Sequence, residues 1–444
     1  VIAQVMKKAG YTTGMFGKWG LGNIATSGDP AVKGWDAFTG YTNQVQAHYY
    51  YQHSIDKIIN GKTVSVSIDS TIYTHEIEMG DAVKFIRDNK DSPFFAYIPI
   101  RIPHSEFIVP EADLKPYLDE KGNSIFDEIP YQGGEFKPYD KPYAAYAAMI
   151  TKLDKEVGEL LALLKELKLD NNTYVFFASD NGAEGGYSGK KIEYFQCNGQ
   201  LRGSKLNLYE GGIRVPMIGW CPGIIPAGVV SSQIAAFWDI PSTICDLAGI
   251  DASTFPDGIS LKNTLTGKDQ EKQHDYIYHE YGVPWQLKFI RSIRKGDWKL
   301  VVTKRNIKAP VVELFNLKDD ISETNNLAKQ HPEIVSDFLS EMDKEHVKPD
   351  YAPFDYSYLV EPGEIPSRLL YTADGKQGGL TAKYYSGRNF DKLAKTQTDT
   401  TMNYVWEYKA PAGLPDDGFT IRWEGSVAVP ETAAYHFYTA ADDG

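Results

Sequence analysis

From residue 143 to 167 the apolar side chains Tyr146, Ile150, Leu153, Val157, Leu160, Leu164 and Leu167 recur at alternating steps of four and three. That spacing keeps them on one stripe of an α-helix, which Asn171-Asn172 brings to a close. The stretch after it, residues 173–179 (TYVFFAS), is apolar without alternation and rich in aromatic and β-branched side chains. Such a run suits a strand covered on both faces, as in a parallel sheet. Residues 11–16, 93–99 (PFFAYIP) and 215–220 repeat the pattern, while residues 1–8, 75–89 and 237–247 carry helical spacing. Apolar strands alternating with helices predict an α/β fold, a mostly parallel sheet sandwiched by helices.

Later the period changes. Residues 289–294 and 298–302, joined at Lys295-Gly296-Asp297, read as an antiparallel hairpin, with residues 312–317 beside it and a helix over 332–344. This predicts a smaller antiparallel α+β subdomain. Residues 350–368, rich in Pro and Tyr, read as a linker, and from Gly379 only strand patterns follow, at 380–385, 419–423 and 434–439. They predict the first part of an all-β sandwich. The expected division is therefore 1–270 for the α/β domain, 271–348 for the subdomain, 349–378 for the linker and 379–444 for the partial sandwich.

Charge narrows the picture. Lys plus Arg (46) against Asp plus Glu (59) gives −13, which argues against a nucleic-acid partner. No run of about 18 apolar residues occurs, so no membrane span is predicted. Cys197, Cys221 and Cys245 are too scattered for a disulfide framework or a zinc site and read as small apolar packing residues. The chain opens at Val1 inside a helical period and closes after a strand-like run, so both ends are expected to be cut and the lack of a signal peptide carries no weight.

The candidate chemistry sits where the strands stop. Residues 173–179 give way to Asp180-Asn181-Gly182, a carboxylate and an amide at the carboxyl end of a strand, where α/β sheets collect ligands. These are hard oxygen donors suited to Ca²⁺ or Mg²⁺, although Asn-Gly is also a common turn dipeptide. The first strand runs into Gly17-Lys18-Trp19-Gly20-Leu21-Gly22, and the strand at 93–99 runs into Ile102-Pro103-His104. Arg202 and Lys205 follow downstream, and a loop holding Asn43, His48, Tyr49, Tyr50, Tyr51 and His53 could line a sugar or aryl pocket. A lone Lys is usually solvated and a His after Pro is usually structural. Gathered at consecutive strand ends, a divalent metal, two lysines, an arginine and a histidine describe a site for a tetrahedral oxyanion.

The stretches AGYTTGMFGKWGLG, PFFAYIPIRIPH, YAAMITKLDKEVGELLALLKELKLDNNTYVFFASDNG, LRGSKLNLYEGGIRVPMIGWCPG and RKGDWKLV with ELFNLKDD resemble a type I sulfatase of the alkaline-phosphatase-like superfamily, over about residues 1–345. The resemblance implies that Asp180 and Asn181 ligate calcium, that Lys18 and Lys205 hold the sulfate, and that His104 and Lys205 protonate the leaving oxygen. His48 and Arg202 are expected as further substrate-binding residues. The implied nucleophile is a formylglycine made from Cys or Ser in a Cys/Ser-x-Pro-x-Arg motif. None of the three cysteines is followed by that pattern, and before Pro366-Ser367-Arg368 the nucleophile slot holds Glu364. The motif, with a pair of metal-binding aspartates, is expected upstream, so the chain as it stands is expected to be inactive.

A second departure is Gly20, where many relatives carry His; His48 is the candidate to replace it. The tail from about Gly379, with GLTAKYY and VPETAAYHFYTAADDG, resembles a protective-antigen-type module, implying carbohydrate binding with Asp442 and Asp443 as candidate calcium ligands. The expectation is a secreted or periplasmic sulfatase acting on a sulfated glycan or aryl sulfate. Its rivals are a phosphoric or phosphonic ester hydrolase of the same superfamily, marked by a Thr or Ser nucleophile, and a carbohydrate-binding protein with an inactive sulfatase-like domain.

Overall fold

A computed structural model describes the chain except residues 135, 187–188, 284–287, 306–309, 349–364, 403, 405, 407–409, 416–417 and 430–444. Most of the expected linker, the strand expected at 434–439, Glu364, Asp442 and Asp443 lie outside the described residues. The chain forms two compact units, residues 1–200 with 211–275 and residues 201–210 with 276–444.

The first unit is built on β1 (Thr12–Lys18), β2 (Ala37–Tyr41), β3 (Ser54–Ile59), β4 (Lys62–Ser67) and β5 (Phe94–Tyr97), in the order β4-β3-β2-β1-β5. β1 runs parallel to both β2 and β5, while β2, β3 and β4 pair antiparallel. Alternation along β1 sends neighbouring side chains to opposite faces. Met15 packs with Ala3, Trp19, Trp35 and Phe38 on one side. Phe16 packs on the other with Ala82, Phe85 and Ile86 of the helix Thr74–Asp88 and with Leu163 and Leu164 of the helix Pro142–Glu166. Helices thus cover both faces, as the apolar run required. Burying a side chain such as Phe16 contributes about 1.5–3 kcal/mol.

Two local expectations change. In the helix Pro142–Glu166 the buried face of the first half is Ala145, Ala148 and Met149, while Ile150 is 40% exposed. Small side chains let the backbone approach its neighbours closely, so the inner stripe runs beside the one marked by bulk. The strands expected at 173–179 and 215–220 appear as β6 (Val175–Ala178) and β7 (Met217–Trp220), paired with each other antiparallel in a separate ladder. Their apolar runs report burial and carry no information on strand direction.

The second unit holds β8 (Ile277–Val283), β9 (Lys288–Lys295), β10 (Trp298–Arg305) and β11 (Val311–Asn316) in an antiparallel sheet. Lys295 pairs with Trp298 across a two-residue turn in which Gly296 takes φ 60°, the conformation that a tight hairpin demands. The helix Pro332–Glu345 lays Phe338 and Met342 on Ile293, Leu300, Val302 and Leu314. A further sheet follows in the order β12 (Leu370–Thr372), β15 (Phe419–Val427), β13 (Leu380–Ser386) and β14 (Lys392–Asp399). It draws β12 from the stretch read as linker. Leu380, Ala382 and Tyr384 are buried at alternate positions, the period of a half-covered strand.

Candidate active site

β1 ends at Lys18. A side chain at Gly17 would meet the Pro99 carbonyl at 2.1 Å, so only glycine lets β1 pass so near the segment after β5. The Lys18 N–H then donates to Pro99 O at 3.2 Å and the Trp19 N–H to Tyr41 O at 3.0 Å, aiming the lysine past the carboxyl edge of the sheet. His48 arrives on a single 3₁₀ turn, Gln46–His48, that follows β2. Its Nε2 lies 3.4 Å from Lys18 Nζ, and because an ammonium only donates, Nε2 is the acceptor.

The His48 ring stacks on His104, centroids 4.7 Å apart at 23°. His104 Nδ1 lies 2.6 Å from the carbonyl oxygen of Ser105, which can only accept, so Nδ1 carries a proton and Nε2 is the nitrogen that exchanges one. Lys18, His48 and His104 therefore form one cluster: a cation, an imidazole beside it, and a second imidazole of fixed tautomer. Phe136 closes one side, 6.2 Å from the His48 ring.

Asp180 and Asn181 follow β6, where Ser179 Oγ donates to Asn181 O at 2.8 Å. A side chain at Gly182 would meet Gly211 O at 1.8 Å, which pins this turn against the 211–212 backbone. Burial first, and then the charge of Asp180, raise the Tyr97 phenol at the end of β5, so the carboxylate faces that strand end. Calcium prefers about six to eight oxygens. The pair fits calcium in donor chemistry but not in number, and among the described residues no group of three or more His, Cys, Asp or Glu gathers to hold a metal.

Arg202 and Lys205 belong to the second unit. Arg202 stacks 3.9 Å over the Tyr209 ring, reaches Glu313 Oε1 at 3.3 Å and donates to Glu323 O at 2.7 Å. Its guanidinium anchors the 201–210 segment to that unit. The segment's other end is fixed by Glu210, whose carboxylate meets the buried Lys299 at 2.8 Å.

Arg101 escaped the sequence reading, and Tyr50, read there as a pocket-lining residue, is placed differently. Tyr50, fully buried, donates its hydroxyl to His104 O at 2.9 Å. Arg101, 4% exposed, meets Glu78 through Nε at 3.0 Å. Burial works against its charge, and the Glu78 carboxylate more than offsets that, holding the guanidinium above its ordinary value. The available signal was an arginine inside an otherwise apolar run, which must find a buried partner.

Residues 1–250 match the family model described as Sulfatase. The chain belongs to the sulfatase family. Residues 204–348 match N-sulphoglucosamine sulphohydrolase, C-terminal, and residues 375–444 match the PA14 domain. N-acetylgalactosamine-6-sulfatase of Rattus norvegicus is 30% identical over 287 residues, which cover 60% of this sulfatase and 48% of that protein. N-acetylgalactosamine-6-O-sulfatase of Bacteroides thetaiotaomicron is 27% identical over 402 residues, 77% of this sulfatase and 75% of the relative. The sulfatase chain thus spans about half the length of the rat protein. A solved structure, Ps i-CgsB in complex with k-i-k-neocarrahexaose, superposes with TM-score 0.60 at 24% identity over 77% of this chain and 73% of the other. That likeness carries the fold, an alkaline-phosphatase-like α/β architecture with antiparallel sheets after it.

Proposed function

We propose that this sulfatase hydrolyses a sulfate ester on a carbohydrate, and that the Lys18–His48–His104 cluster is the part of its active site carried by the first unit. The observation that supports it is the placement of these three side chains together, at the carboxyl end of a parallel strand in a chain of this family. Lys18 neutralises the non-bridging oxygens of the sulfate as charge builds up in the transition state. His104 Nε2 gives its proton to the leaving sugar oxygen as the S–O bond breaks. His48 Nε2, released as the Lys18 ammonium turns to the sulfate, accepts the proton of the attacking hydroxyl. Lys205 is proposed, on the resemblance alone, as a second cation for the sulfate.

A formylglycine would supply that hydroxyl when present, and none of the 444 residues offers Cys or Ser in its motif. The nucleophile is therefore proposed to come from sequence outside these residues. Asp180 and Asn181 are proposed as two oxygen donors of a larger calcium site, the PA14 domain as a carbohydrate-binding module, and the setting as secreted or periplasmic. Among the described residues no helix is long and apolar enough to cross a membrane.

The test is to produce the whole protein with a formylglycine-generating enzyme and offer it an aryl sulfate and 6-sulfated N-acetylgalactosamine, the sugar named by the relatives. Release of inorganic sulfate is expected, with none from residues 1–444 alone. Turnover of phosphate esters in preference to sulfates would overturn the reading. Turnover by the shorter chain would place an unrecognised nucleophile within it.

A further inference from the structure

One buried arginine touches the backbone on both sides of His48 and also receives the N–H of His104. Arg101 Nη1 donates to Ala47 O at 3.1 Å and to Tyr49 O at 2.9 Å, the carbonyls immediately before and after His48. Its own carbonyl accepts the His104 N–H at 2.8 Å. Nη2 donates to Thr74 Oγ1 at 2.7 Å, and that hydroxyl donates onward to Tyr50 O at 2.9 Å. The loop closes on itself, for the Glu106 N–H donates to His48 O at 3.1 Å and the Tyr50 hydroxyl to His104 O.

We propose that Arg101 is a positioning residue that sets the stacking of His48 on His104, and with it the reach of His48 to Lys18. The inference rests on the reading of that cluster as an oxyanion site. Three observations favour a positioning role over a general packing one. The guanidinium spends its donors on carbonyls of the loop that carries His48, where an apolar residue of equal volume would leave them unpaired. Its centre packs on two aromatic rings, Tyr41 and Tyr50, each centroid 4.8 Å away. Its charge is held by Glu78, itself 2% exposed on the helix Thr74–Asp88, so the fork cannot turn to another acceptor. A planar fork with several fixed donors does what a lysine at the same place cannot. Lys in place of Arg101 keeps a cation, but its single nitrogen cannot serve Glu78, Thr74 and both carbonyls at once, as Nε, Nη2 and Nη1 of the guanidinium do.

The test uses residues 1–444 with inorganic sulfate as the probe, read by the ring C–H signals of the histidines in NMR. In the wild type, sulfate is expected to shift the His48 and His104 signals together. In Arg101→Lys, with far-UV CD unchanged, both signals are expected at new positions before sulfate is added, and sulfate affinity is expected to fall at least tenfold. Wild-type signals and wild-type affinity in Arg101→Lys would overturn the inference while leaving the oxyanion reading intact. Absence of any sulfate response in the wild type would overturn the oxyanion reading itself, and the inference with it. If Arg101→Lys does not fold, Tyr50→Phe decides. It removes one hydroxyl, and it should move the His104 signal while leaving His48 in place; an unmoved His104 signal would count against the network.

Discussion

In the proposed reaction Lys18 supplies charge and the two histidines supply proton transfer, so substitutions separate the roles. Lys18→Ala in the whole enzyme should cost about 2–4 kcal/mol of transition-state stabilisation, a loss of roughly 30-fold to 10³-fold in kcat at unchanged fold. His48 can be tested more sharply, because Gly20 is exposed and a Cβ there meets nothing within 4 Å. Gly20→His should therefore leave the melting temperature nearly unchanged, within about 0.5 kcal/mol of stability. If His48 does the work expected of a histidine at Gly20, His48→Ala should lose activity and Gly20→His/His48→Ala should recover part of it. A double variant as dead as the single one would separate the two positions. Lys18 and His104 were legible in the sequence because each follows an apolar run, Lys18 as the last residue of β1 and His104 in the segment after β5. His48 was named only through the resemblance and as a polar residue in an aromatic loop, and its closeness to Lys18 comes with the 3₁₀ turn Gln46–His48, which leaves no local pattern.

At the scale of elements, the sequence showed where strands and helices lie better than how they pair. β1, β5 and the helices Thr74–Asp88 and Pro142–Glu166 stand within a few residues of expectation, since unbroken apolar runs mark the two strands and long helical periods the two helices. β2, β3, β8 and β14 were missed: short or polar, they gain their place from partners distant in sequence. The ladder of β6 with β7 shows the same limit, because side-chain burial does not record hydrogen-bond direction. Buried charge in the second unit gives predictions of its own. Lys299, 1% exposed, meets Glu210 at 2.8 Å and Glu323 at 3.0 Å, both carboxylates also buried. Lys299→Met would strand them, at about 3–5 kcal/mol, read as a lower denaturation midpoint.

Burial first, then the Lys299 charge, push His279 down to about 4. The unfolded chain takes up that proton near the ordinary value, about 6.5, and the folded chain only near 4. The contribution is thus complete above pH 6.5 and lost as pH falls toward 4, at most about 2 kcal/mol between pH 7 and 5. His279→Gln should flatten the pH dependence of unfolding over that window; an unchanged slope would show that His279 titrates as in water.

At the scale of the whole molecule, the candidate ligands divide between the two units. Lys18, His48, His104, Asp180 and Asn181 belong to the first and Lys205 to the second. The first unit holds the two metal donors expected beside the sulfate, and their number sets what that site can bind. Asp180 and Asn181 give two side-chain oxygens, while calcium sites gain affinity from the count of charged ligands and the rigidity of the cage. One carboxylate and one amide on a turn supply little of either. In residues 1–444 the Asp180–Asn181 pair should therefore bind Ca²⁺ with a dissociation constant of about 10⁻³ M or weaker by titration calorimetry, and Asp180→Ala should remove the heat that this pair contributes. In the whole protein, where further donors are proposed, affinity should rise by at least a hundredfold and Asp180→Ala should abolish sulfate release. Micromolar binding by residues 1–444 would mean that the remaining oxygens already lie within this chain. Full activity of the whole protein with calcium chelated would remove the metal from the reaction and leave Asp180 as a structural turn.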